Sequence, residues 1–196
     1  MSKEYKIIAA EHYGVALKEY ENYDDDWMFC EGDSILNEAP NPLIAHISKN
    51  PVNIPENNAV HDFVWGIGAG LKISKRAKEL LENEEGVHAE YVPLTIIDVK
   101  GKELEEEFFV VNPLEKHEAI DLDKSTVEMN SLDEDSILGT HDTRLVLKKS
   151  GDFEKFDLII PEHLNSELMM STDLIKKIQD AGFTNLKVNE PSEYRG

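Results

Sequence analysis

Seven histidines, His12, His46, His61, His88, His117, His141 and His163, are the side chains best suited to proton transfer or metal ligation near neutral pH. They are scattered, with no pair at ligand spacing and no His-Glu-x-x-His. His61-Asp62 and His141-Asp142 each set an imidazole beside a carboxylate. Neighbours on a strand point to opposite faces, so adjacency alone makes no dyad. Cys30 is the single cysteine, which excludes an internal disulfide and a cysteine-rich zinc site and suits a reducing compartment. A Gly-x-Ser-x-Gly elbow is missing. Gly66-Ile-Gly-Ala-Gly70 invites a phosphate, but a dinucleotide fingerprint needs its third glycine where Leu71 stands, and no Gly-Lys-Ser or Gly-Lys-Thr follows. The residues therefore predict no catalytic set, no cofactor and no metal.

Carboxylates are the dominant chemistry. The 196 residues carry 40 Asp plus Glu against 20 Lys plus Arg, a formal charge of −20. That balance disfavours nucleic acid and favours a basic protein surface. Hydrophobic residues still make up 40 %, enough for a folded core. From Glu19 to Ser48 there are eight acids and no Lys or Arg, with Tyr20, Tyr23, Trp27, Met28 and Phe29 among them. Acids steer a cationic partner, and aromatics supply the desolvated anchors that hold it. The candidate partner-binding residues are Tyr23, Asp24, Asp25, Asp26, Trp27, Glu31 and Asp33, with Asp133, Glu134 and Asp135 as the next choice. The alternative for the aromatics is that they pin the loop to the core. Asp133 to Asp135 fall in a second acidic run, Glu118 to Thr143, whose eight acids meet only Lys124. Neither run has the spacing of a calcium loop.

Elements that would position these residues can be read from period and punctuation. Strands are expected at Tyr5 to Ala9, Leu43 to Ile47, Val60 to Trp65, Val87 to Val99 with a break at Pro93, and Phe108 to Val111 pairing back as a hairpin. Further strands are expected at Arg144 to Lys148, Phe156 to Ile160 and Phe183 to Val188. Helices are expected from Ser74 to about Asn83, stopping at Gly86, and from Thr172 to about Ala181, stopping at Gly182. Leu71-Lys-Ile-Ser74 and Leu168-Met-Met-Ser171 both lead into a helix through a serine cap, which suggests a weak internal repeat. Without strict βαβ alternation the fold class is α+β, a mixed, mainly antiparallel sheet with a few helices. One domain over residues 1–196 is expected, with 1–70 a loop-rich subdomain. Four apolar residues near the start are too few for a secretion signal, and no stretch is long enough to span a membrane. These features predict a cytoplasmic protein.

From Leu71 onward the order of features resembles the immunity proteins of bacterial polymorphic-toxin systems, immunity-protein-11 type. The matching pieces are the Ser74 helix with Leu80-Leu81 and Gly86, Tyr91-Val-Pro93, Phe108-Phe-Val-Val-Asn112 and Ala119-Ile-Asp-Leu-Asp-Lys-Ser125. Arg144-Leu-Val-Leu147, Ile159-Ile-Pro161 and the helix Leu174 to Gly182 complete the series. Asn185-Leu-Lys-Val188 stands where that pattern has a glycine and a phenylalanine. The resemblance implies no catalytic residue. It implies a protein that binds and neutralises a cognate secreted toxin, delivered by contact-dependent or type VI routes and often a nuclease. A cytoplasmic chaperone or adaptor for a secreted effector is the competing reading.

Overall fold

The computed structural model describes residues 3–11, 15–48, 60–66, 69–140, 142–164 and 167–194, without the side chains of 133–135. Its strands are β1 (Tyr5–Ala10), β2 (Ala16–Tyr20), β3 (Leu43–Ile47), β4 (Phe63–Gly66), β5 (Leu71–Ser74), β6 (Ala89–Ile97), β7 (Phe108–Pro113), β8 (Lys116–His117), β9 (Glu128–Asn130), β10 (Asp133–Leu138), β11 (Leu158–Pro161), β12 (Leu168–Ser171) and β13 (Leu186–Asn189). Helix α1 (Lys75–Glu82) follows β5 and α2 (Thr172–Asp180) follows β12. Six strands close a barrel in the order β2-β3-β6-β7-β5-β4, and five form a sheet in the order β13-β1-β12-β11-β8. The fold is α+β and dominated by sheet.

The expected repeat is a whole supersecondary unit. In the first copy β4 and β5 form a hairpin, α1 follows, and β6 returns with β7 inserted between it and β5, giving β4-β5-β7-β6. In the second, β11 and β12 form the hairpin, α2 follows, and β13 returns with β1 inserted, giving β11-β12-β1-β13. Every neighbouring pair in both series is antiparallel. Each helix is capped alike: Ser74 Oγ accepts from Ala77 N and Ser171 Oγ from Leu174 N, both at 3.2 Å. Each serine then donates to an aspartate of its own unit, Ser74 to Asp62 at 2.8 Å and Ser171 to Asp157 at 2.6 Å. The units also clasp each other, since Asp157 N donates to Gly86 O and Phe63 N to Thr184 O. Phe63, Ile73, Ala77 and Leu81 of the first unit share one buried cluster with Leu158, Met170, Leu174 and Ile178 of the second.

These caps differ in what remains when they are cut. Ser171 is buried, and Ser171→Ala strands both the Leu174 amide and one hydrogen-bonding site of Asp157, a loss of about 2 kcal/mol. Asp62 keeps Arg76 and Thr184 after Ser74→Ala, so that loss is about 1 kcal/mol. Urea denaturation of the two variants is expected to rank them in that order.

Several expectations need correction. Arg144 to Lys148 is not a strand; it makes only isolated bridges, Thr126 to Arg144 and Ile120 to Leu147. Its ladder is replaced by other partners, Val146 N donating to Ser125 Oγ at 2.9 Å and Leu145 N to Pro191 O. Gly86 does not stop α1, which ends at Glu82 with Asn83 as its cap. Instead the carbonyl of Gly86 meets Asp157, where a Cβ would stand 2.1 Å from the carboxylate. Pro93 does not break β6, because it faces Phe109 and the parallel ladder to β3 begins only at Leu94, a position that tolerates a missing N–H.

Candidate functional site

The acid-aromatic segment forms a 3-10 helix, Asp26–Cys30, seated on the barrel core. Phe29 is fully buried and Cys30 nearly so. Phe29 packs against Tyr20 with ring centroids 6.1 Å apart, and Tyr23 meets it edge-on at the same distance. Core packing thus claims Phe29 and Tyr20, and much of Tyr23, whose hydroxyl lies 3.5 Å from Met28 Sδ. Burial, then Asp25 and Glu38, raises the Tyr23 phenol above its ordinary value. Trp27 is different. Its side of the short helix faces water, and the residue is 57 % exposed.

The acids divide in the same way. Asp24 and Asp25 are exposed beside Trp27, whereas Asp26 turns inward and accepts from Ala69 N at 2.9 Å. Tyr20 holds the other side of Ala69, its hydroxyl donating to the carbonyl at 3.0 Å. Beneath them lies Lys72, 3 % exposed, with its ammonium 5.5 Å from the Tyr20 ring centroid. Burial pushes this lysine down to about 8, against the opposing pull of Asp26 and Cys30. Alternation put it there: Leu71 and Ile73 face the shared core, so Lys72 between them faces the barrel interior. Glu31 is tied to Lys116 Nζ at 2.7 Å. Asp33 is exposed, while its carbonyl accepts from Asn112 Nδ2 at 2.8 Å.

Sequence reasoning missed Leu36, which is 56 % exposed next to the fully buried Ile35. The signal was present as an apolar doublet inside an acidic run. Asp24, Asp25, Trp27, Glu31, Asp33 and Leu36 are among the exposed members of a segment fastened through Asp26, Phe29 and Ile35. Asp133, Glu134 and Asp135 stand apart, on β10 of a two-stranded hairpin whose Ile137 packs under the five-stranded sheet. Their side chains lie outside the description.

Gly70 leads into strand β5 and not directly into a helix, and the α1 cap is already occupied by Ser74, so the geometry of a dinucleotide loop is missing. Asp62 is engaged by Ser74, Arg76 and Thr184, and His141 lies outside the described residues. Among the described residues no group of three or more His, Cys, Asp or Glu could hold a metal ion, and no helix is long and apolar enough to cross a membrane. Compared with known families, residues 22–192 match the model of an immunity protein family (Imm11). No curated protein matches the chain.

Proposed function

The chain belongs to the Imm11 immunity protein family, and from that premise we propose that it binds a cognate secreted toxin with a basic surface, a nuclease, and neutralises it stoichiometrically in the cytoplasm without turning over a substrate of its own. The observation that supports this reading is Trp27, held out to solvent on a segment whose Asp24 and Asp25 are also exposed, while Phe29 of the same short helix is locked in the core. A rigidly mounted indole costs little entropy to immobilise and makes an efficient anchor. The surrounding acids, in a chain of charge −20, attract cations that would otherwise hold phosphate. Tyr23, Asp26 and Glu31 support the surface from behind, through Met28, Ala69 and Lys116. Asp133, Glu134 and Asp135 would meet the same partner as a second acidic contact. Nucleic acid and membrane have no part in this reading.

The test is titration of the purified protein against the product of the adjacent toxin gene, with rescue of toxin-expressing cells. Trp27→Ala is expected to weaken the complex at least tenfold, mainly through faster dissociation, as buried anchors do. Asp24→Asn with Asp25→Asn is expected to slow association and flatten its salt dependence. No complex and no rescue would refute the proposal. Unchanged affinity in all three substitutions would move the interface to Asp133–Asp135. Binding that leaves the isolated toxic domain active would instead identify a chaperone or adaptor for a secreted effector.

A further inference from the structure

Leu132 is 95 % exposed, far more than any other large apolar side chain among the described residues, of which Trp27 comes next at 57 %. It sits in the turn of the β9–β10 hairpin, where Ser131 and Leu132 join Asn130 to its partner Asp133. Two-residue turns of this kind favour glycine or asparagine at positive φ, and neither Ser131 nor Leu132 adopts one. The turn is closed instead by Leu132 N, which donates to Asn130 Oδ1 at 3.0 Å. Backbone geometry therefore asks for no leucine here, and the core does not use it.

The base of the hairpin is fixed. Ile137 is buried in one cluster with Tyr5, Ile159 and Met169 of the five-stranded sheet, and its N–H donates to His163 O at 2.7 Å. Lower down, Thr126 N donates to Arg144 O at 2.9 Å and Arg144 N to Thr126 O at 2.8 Å. Thr143 is buried beside them and accepts from Thr140 N at 2.9 Å through its Oγ1. Beyond this base Glu128, Met129, Ser131 and Leu132 are all exposed. Leu138 stands opposite Glu128, so the two share the face turned away from Ile137, and Leu138 is exposed too.

Charge selects what this tip can enter. From Thr126 to Thr143 the chain has five acids, Glu128, Asp133, Glu134, Asp135 and Asp142, and no Lys or Arg. An apolar projection on such a segment is attracted by a cationic rim and repelled by an acidic one. A second copy of this chain, at charge −20, is repelled on approach. Single exposed apolar residues are ordinary on a surface. One at the tip of a hairpin with a fixed base loses little entropy when it docks, as an effective anchor must. We propose that the β9–β10 hairpin inserts Leu132 into an apolar pocket rimmed by Lys or Arg on the toxin. Such insertion rests on the toxin-binding reading and gives it a second anchor, mounted on a different hydrophobic cluster from the one that seats the Trp27 helix.

Leu132→Ser and Leu132→Met would be titrated as full chains against the product of the adjacent toxin gene, alongside the unaltered protein. Fully burying a leucine side chain changes a binding constant by a factor of about ten or more. Leu132→Ser is therefore expected to raise Kd about tenfold or more, chiefly through faster dissociation, with an unchanged melting temperature because the side chain lies in water. Leu132→Met keeps bulk and apolarity and is expected to stay within about threefold. Combined with Trp27→Ala, the Leu132→Ser loss is expected to multiply, as at independent sites. An unchanged Kd for Leu132→Ser in a chain that binds toxin overturns the insertion, as does an equal loss in Leu132→Met. A dimer of the unaltered chain that Leu132→Ser abolishes would put the pocket on a second copy and refute it as well. Failure of the unaltered protein to bind toxin is the separate result that removes the toxin-binding reading itself, and the insertion with it.

Discussion

Gly70→Ala is expected to destabilise the protein by about 2–5 kcal/mol, the sum of two costs that fall on the same atom. The residue has φ +82°, in the left-handed region that L side chains enter at a cost of about 1–2 kcal/mol. A methyl group there would also stand 2.5 Å from Val110 Cγ1 and 3.2 Å from the Phe29 ring, both fully buried. Overpacking of that kind adds roughly 1–3 kcal/mol. Gly182 provides the comparison, because at φ +71° it meets nothing within 4 Å and its alanine variant carries only the backbone cost. Thermal melts should lower the Gly70→Ala midpoint by roughly 5–15 °C and the Gly182→Ala midpoint by a few degrees. Equal losses at the two sites would show that the Val110 and Phe29 contacts yield freely. Since Phe29 shares its short helix with Trp27, the Gly70 variant should lose toxin affinity as well as stability.

Lys72→Met is expected to move stability in the opposite direction. The ammonium is held at about 8 in the folded chain against an ordinary 10.5, so the folded site, burial first and Asp26 and Cys30 opposing it, disfavours the charged form by about 3 kcal/mol net. Below pH 8 both folded and unfolded chains carry the proton, and the full penalty stands. Between about pH 8 and 10.5 the unfolded chain still binds a proton that the folded chain has released, so stability rises with pH through that window. Methionine removes both the penalty and the slope. The lowered value already includes the pull of Asp26 and Cys30, and the expected net gain at pH 7 is about 1–3 kcal/mol. Urea denaturation at pH 7 and pH 10 checks this, and a variant that kept the rise in stability between them would show that another group titrates there.

Local chemistry made the helices and one hairpin readable. Ser74 and Ser171 mark the two starts, Gly182 marks an end, and β6 and β7 pair back as their apolar runs imply. Barrel closure was not readable, because it depends on parallel pairings between distant segments, β2 with β4 and β3 with β6, which leave no turn signature. β2 itself, with Lys18 and Glu19 in its centre, has too little alternation to announce a strand. The run Glu118 to Thr143 has no strand signal in its acidic composition, yet it contains β9 and β10, paired through Met129 and Ile137 across an irregular register. In the candidate segment, composition could not tell Trp27 from Phe29 or Asp25 from Asp26. Which of two neighbours turns inward is set by the 3-10 winding and by partners such as Ala69 and Val110, more than forty residues away.

The insertion of β1 between β12 and β13 sets the timetable of manufacture. Tyr5 finds its register opposite Ser171, and Ile7 opposite Asn189, so β1 leaves the ribosome well over a hundred residues before the strands it pairs with. At about 5–20 residues per second, that interval is on the order of 10–30 seconds, during which the growing chain holds an apolar ribbon without neighbours. A cell under attack would then depend on its stock of finished molecules, because a half-translated one has no completed second unit with which to brace the first.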